Sequence, residues 1–233
     1  GAGESHGPAI ATTVLGCPQG VWIERARVQH YLDRRRPGGN KLGTPRREDD
    51  KVVFLSGLYC EDHERLLAGP QLALRADDIA LDTQAYEAGY TTGEPVAAIV
   101  LSAAKRSADY EQFAGERGEV RPGHTDLVKH YQSGGHVDVR GGGRSSYRST
   151  ISDVIGGSIA RTALHQHFAT YIFSSICQVG PLRATESLAD RVARLCTPDG
   201  RMDEERAKAL ESELAQAAIY SIDGPFEIGR AHV

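Results

Sequence analysis

The chain is poor in the residues that would announce a metal site or a disulfide framework. Its four cysteines, Cys17, Cys60, Cys177 and Cys196, stand far apart and form no CxxC. That spacing speaks against a zinc site and, over 233 residues, against a disulfide-held scaffold. Reduced thiols in a cytoplasmic protein are the expectation, and no metal ligands are assigned. No apolar run reaches the length of a membrane span, and no signal peptide is recognisable, so no membrane contact is expected. Aromatic residues make up 6% of the chain and the net charge is −4. Both weigh against a nucleic-acid partner, even for the basic stretch around Arg34, Arg35 and Arg36. Neither the Walker pattern GxxxxGK(S/T) nor the dinucleotide pattern GxGxxG occurs.

What is there is an ordinary globular composition, 40% hydrophobic and 25% charged, long enough for a sizeable core. Strands are expected at 9–16, around 51–59 and at 95–103, each apolar and bounded by turn residues. A further apolar, β-branched strand is expected in TYIFSSICQVG, 170–180. Helical spacing covers 23–35 and, most clearly, 149–168, where Ile151, Val154, Ile155, Ile159, Ala163 and Leu164 share a face. Ser145 or Ser146 is placed to cap that helix. A last amphipathic helix spans DEERAKALESELAQAA. Strands close enough to form hairpins, alternating irregularly with helices, indicate an α+β fold rather than a doubly wound one.

The densest chemistry lies in VDVRGGGRSSYRST, residues 137–150. Arg140 and Arg144 bracket three glycines, and a helix follows. Glycines let successive backbone N–H groups converge on an anion, a helix N-terminus adds favourable dipole, and arginine forks match phosphate or carboxylate. The competing reading is a flexible hinge with solvated arginines. Two loop histidines tip the balance: His6 in GESHGP and His124 in RPGHTD. Histidine is the usual proton carrier near neutral pH. Together these residues suggest a site that binds a multiply charged anion and moves a proton.

GESHGP, DRRRPGGNKLGTPRREDD, LSGLY, TTGEP, SADY, RPGHTD, RGGGRSS and the helix carrying GGSIA occur here in the order found in the chorismate synthase family, which the sequence resembles from residue 3 to about 180. The resemblance implies antiparallel sheets packed on helices in a β-α-β sandwich, incomplete at the C-terminus. It also implies a 1,4-elimination of phosphate from 5-enolpyruvylshikimate 3-phosphate (EPSP) to give chorismate, with reduced FMN as cofactor and NADPH as a possible reductant. By the same resemblance His6 and His124 are the catalytic histidines. Arg35, Lys41, Arg121 and Arg148 bind the substrate anions, and Arg144, Ser145 and Ser146 contact FMN. Each has a plainer alternative: Arg35 as a charge at a helix C-terminus, Arg148 as a surface residue of a first helical turn. A homotetramer is implied as well.

The sequence also departs from that pattern. Lys41 stands where the family usually has an arginine, keeping charge but losing the fork. Residues 60–86 look like an insertion, expected as a helical excursion at a sheet edge, with His63 a surface residue. The family's later FMN motifs are absent, so residues 1–226 are expected to be a partial domain. The chain opens without Met, and its natural start is expected upstream. EIGRAHV, 227–233, resembles the translation of a sequencing-library adapter, with a shortened family segment as the competing reading. From these departures comes a second functional class: a non-catalytic anion-binding protein on the same scaffold.

Overall fold

A computed structural model describes residues 1–36, 48–102, 107–113, 119–121, 123–175, 177–184, 186–198, 201–202 and 204–216. Lys41 and residues 227–233 lie outside them. The elements in chain order are β1 (Ala9–Val14), β2 (Trp22–Glu24), α1 (Arg25–Arg35), β3 (Val52–Ser56), β4 (Leu58–Tyr59), α2 (His63–Leu66), β5 (Gln71–Ala76), β6 (Ile79–Gln84), β7 (Ala88–Thr91), β8 (Val96–Leu101), α3 (Asp126–Ser133), α4 (Ile151–Phe168), β9 (Gln178–Val179), β10 (Leu182–Arg183), α5 (Leu188–Ala193) and α6 (Glu204–Gln216). Short 3-10 turns at Ser107–Phe113, Arg140–Ser145 and Tyr147–Thr150 fill the connections. The fold is α+β, with every strand pair among the described residues antiparallel.

Two three-stranded sheets form the frame, ordered β1-β8-β3 and β2-β7-β4. Alternation decides which face is buried. In β8, Val96, Ala98 and Val100 point into the main core, and Ile10 of β1 joins them. Phe54 and Val52 of β3 lie beside them, fully buried. The chain passes from the first sheet to the second at Gly57, after a register shift between Phe54 and Ser56. Gly57 has φ +82°, and a Cβ there would fall 2.7 Å from Pro95 O. Only glycine fits that crossing.

Helices α1 and α4 cover the core face. Ile151, Ile155 and Ile159 recur every four residues on α4 and are fully buried, meeting Val28 and Leu32 of α1. The helices run antiparallel. Trp22, just before α1, exchanges hydrogen bonds with Gln166 near the end of α4 (2.9 and 2.8 Å). At the other end Arg35 reaches Tyr147 O, just before α4. Trp22 also stacks edge-on against Tyr90, its cross-strand partner (4.8 Å), under the Arg65 guanidinium (4.5 Å). Helix α6 docks on this pair through Glu211, which accepts from Tyr31 Oη (2.6 Å) and Arg161 (3.0 Å).

Two sequence expectations are corrected. The expected strand over 170–180 shrinks to Gln178–Val179 among the described residues, which pairs with Leu182–Arg183; α4 ends with Ala169 in the left-handed region, its N–H on His165 O. Residues this apolar form a strand only where a neighbouring strand accepts them. Residues 60–86 are not a helical excursion. After the single turn of α2 they form a hairpin, β5 on β6, joined at Asp77–Asp78. One face of it carries Leu72, Leu74, Ala76, Ile79 and Leu81. Only Leu72 at its base is buried, packing with Val53, Ala85 and Ile99 behind the first sheet.

This layout predicts a sharp contrast. Phe54→Ala should cost about 3–5 kcal/mol, whereas Ile79→Ala, at a side chain 70% exposed, should stay within about 0.5 kcal/mol of the parent. Urea denaturation of both variants measures the difference.

Candidate functional site

The site lies where α1 ends and α4 begins. The segment 140–150 crosses this end and meets three other parts of the chain. Gly141, Gly142 and Gly143 all have positive φ (+58°, +87° and +54°), a run that residues with side chains rarely adopt. Bare backbone is needed for contact too. A Cβ at Gly141 would fall 2.5 Å from His6 Cε1 and 2.6 Å from His6 Nδ1. One at Gly142 would fall 3.3 Å from His124 Cε1 and 3.4 Å from its Nε2. The two histidines proposed from sequence therefore rest on consecutive glycines. Ser5 N–H donates to Gly143 O (3.1 Å), tying the His6 loop to the same backbone.

His6 is buried and His124 about one-third exposed. His6 packs edge-on against Tyr110 (5.0 Å). His124 Nδ1 lies 2.5 Å from Asp126 Oδ1. Asp126, buried at the first position of α3, is gripped by Arg121: Nε donates to Oδ2 at 2.6 Å and Nη2 to Oδ1 at 2.8 Å. Arg121 also donates to Val139 O, and its guanidinium lies over Tyr110 (5.6 Å) and Phe113 (5.3 Å). The Arg121 hydrogen bonds, offset by burial, hold the Asp126 carboxyl at about 2.

The second half of the site is an ion cluster. Arg35 at the end of α1 donates from Nη2 to Asp50 Oδ2 (2.5 Å). Arg148, one turn before α4, pairs with Asp50 Oδ1 (2.9 Å) and with Glu48. All four side chains are buried, and two cations balance two anions. Ions taken out of water are tolerable only when paired this closely. Arg35 is the last residue of α1, so its plainer reading as a charge at a helix C-terminus holds beside the ion pair, whereas Arg148 is buried and not a surface residue. Arg35 Nε is buried with no hydrogen-bond partner among the described residues, a spare donor on a guanidinium that also reaches Tyr147 O.

The remaining expected residues differ in their commitments. Arg140 is engaged internally by Asp138, whose carboxyl it holds below the ordinary range, with burial opposing. Arg144 is exposed and donates to Gly1 O (2.8 Å). Ser145 is exposed. Ser146 Oγ accepts from Arg148 N (3.2 Å), capping the 3-10 turn that precedes α4. Sequence reasoning missed Glu48, Asp50, Tyr110, Asp126 and Asp138. Asp126 was within reach, two residues after His124; the others are acids and an aromatic whose roles need the fold. Among the described residues no cluster of His, Cys, Asp or Glu could hold a metal ion.

Two outcomes follow from this geometry. Gly141→Ala must strain a left-handed backbone and push against His6, so it should cost more than about 1 kcal/mol and shift the His6 ring resonances in NMR spectra. Asp126 is held well below its unfolded value of about 3.9, so the stability it contributes is complete above about pH 4. That stability is lost as pH falls through about 2. Acid titration of denaturation midpoints should therefore show a steeper loss between pH 4 and 2 for the parent than for Asp126→Asn.

Comparison with known proteins converges on one family. The family model described as chorismate synthase matches residues 1–66 and 75–228, leaving out eight residues that include the start of the β5–β6 hairpin. The chain is 60% identical over 226 residues to a chorismate synthase of Rhodopirellula baltica, covering 97% of this chain and 54% of that one. It is 39% identical over 189 residues to that of Ruegeria pomeroyi (81% and 43%) and 37% identical over 189 residues to that of Parabacteroides distasonis (81% and 43%). The chain thus spans about half the length of the curated relatives it matches. With most of its length matched by the family model and one relative at 60% identity, this chain belongs to the chorismate synthase family.

Proposed function

We propose that the chain carries the anion-binding and proton-handling part of a chorismate synthase, a lyase that eliminates phosphate from EPSP in a 1,4 sense to give chorismate in the shikimate pathway. The observation that carries this reading is the seating of His6 and His124 on consecutive glycines of a turn that leads directly into Arg148 and the α4 N-terminus. A substrate bearing a phosphate and carboxylates requires cations and N–H donors at close range. Arg35, Arg121 and Arg148 supply the cations. The N-terminus of the eighteen-residue α4 adds its dipole. Lys41 joins this set by the family resemblance alone.

The chemistry of the donor set fits an anionic flavin cofactor. Arg144 and Ser145 are exposed polar groups beside backbone that no Cβ obstructs, and Arg35 Nε is a buried donor without a partner among the described residues. Arg144, Ser145 and Ser146 would hold FMN. When bound in its reduced form, it supplies the electron density that a poorly acidic C–H bond and a departing phosphate require. The protein's own share is positional. His6, buried against Tyr110, holds a proton at the cofactor side; His124 holds one at the phosphate side. The ion cluster of Arg35, Arg148, Glu48 and Asp50 fixes the guanidinium planes before substrate arrives. NADPH as reductant, a homotetrameric assembly and a cytoplasmic location accompany this proposal.

A second reading has its own support. The chain spans about half of its relatives, and Arg35 and Arg148 already have carboxylate partners. A protein that binds anions without turnover satisfies both observations. Titration of the purified chain with FMN under reducing conditions, with and without EPSP, separates the two. Lyase function predicts EPSP binding and FMN affinity raised at least about tenfold by EPSP (1.4 kcal/mol of coupling). EPSP binding without any FMN binding supports the second reading, and absence of EPSP binding overturns both.

A further inference from the structure

We infer that Asp126 is a positioning residue that holds His124 as its Nδ1–H tautomer, leaving Nε2 as the ring nitrogen presented to the triglycine backbone. Donor and acceptor counting leads there. An ionised carboxylate has acceptors only, and both Asp126 oxygens accept from Arg121, which keeps the group ionised. The 2.5 Å separation between Asp126 Oδ1 and His124 Nδ1 is repulsive if both atoms present lone pairs. A hydrogen on Nδ1 removes that repulsion, so the carboxylate favours the Nδ1–H form. A neutral imidazole has one N–H, so Nε2 keeps its lone pair. That nitrogen faces the bare backbone of Gly142, where an added Cβ would come within 3.4 Å of it.

The same carboxylate orients Arg121. One buried group thus sets both the tautomer of a histidine and the plane of a guanidinium, and its place at the start of α3 ties both to a helix. The consequence for chemistry is a proton transfer in which the ring keeps one tautomer, with Nε2 taking a proton back from water before the next turnover. Imidazolium gives the Nε2 proton to an oxygen of the departing phosphate and returns to the tautomer it started from. No proton has to change ring nitrogen, and Asp126 stays ionised throughout. The use of this transfer rests on the function proposed above; the tautomer does not.

Long-range ¹H–¹⁵N correlation spectra of the full chain at about pH 9, where histidines are neutral, test the assignment. In the parent, the Nδ1–H form of His124 should outnumber the Nε2–H form by about tenfold or more, as an ionised carboxylate 2.5 Å from Nδ1 favours. Asp126→Asn, whose amide can donate to Nδ1, should move the population toward Nε2–H. A parent ring that is mainly Nε2–H overturns the inference, whatever any variant does. An unchanged tautomer ratio in folded Asp126→Asn overturns it equally. Failure of EPSP to bind, with the Nδ1–H form present, would remove the proposed reaction and leave the tautomer assignment standing.

Discussion

Asp50 is the carboxylate on which the site's architecture depends. It accepts from Arg35 at the end of one helix and pairs with Arg148 just before the start of another. The antiparallel packing of α1 and α4 brings those two ends together, and Asp50 makes their approach electrostatically possible. Without it, two guanidiniums would face each other in a buried space, where like charges repel far more strongly than in water. Glu48 completes a neutral set. The hydrophobic contacts of the two helices and this ion cluster therefore support each other: the first delivers the arginines, and the second lets them stay.

The same logic recurs around the glycine turn. Arg121 is matched by Asp126 and Arg140 by Asp138. Arg35 and Arg148 share Asp50, with Glu48 also on Arg148, so every one of these four arginines is paired and the site is not a diffuse positive surface. It would select an anion by the geometry of remaining donors rather than by bulk charge. Arg144 differs, being exposed and bound to backbone carbonyls of the N-terminal residues.

Much of this could be read from the sequence, and the divide is physical. Strands such as Ala9–Val14 and Val96–Leu101 and the helix Ile151–Phe168 carry their periodicity locally, and they stand close to where it placed them. The candidate histidines and arginines stand out in the sequence because glycine-rich loops around charged residues are unusual, and the fold gathers His6 and His124 at one glycine turn. What could not be read was pairing. In DRRRPGGNKLGTPRREDD, Glu48 and Asp50 belong to an acidic run after a basic one, and only the return of α4 to the end of α1 reveals them as buried counterions. Thr170–Gly180 misled because β-branched residues signal a strand only when a partner strand exists. The β5–β6 hairpin escaped because its apolar face is left largely uncovered, so the usual alternation of inside and outside has no core to refer to.

The lone tryptophan has a practical meaning. Trp22 is wedged between Tyr90 and Arg65 and tied to Gln166 by reciprocal hydrogen bonds. Along α4, Ile151 and Gln166 are about 20 Å apart, so the indole watches the end of the helix pair remote from the histidines. Its emission is an internal gauge of whether α1, α4 and the second sheet remain joined. A change in that signal on adding an anion at the glycine turn would report motion carried along the helices rather than contact with the ligand.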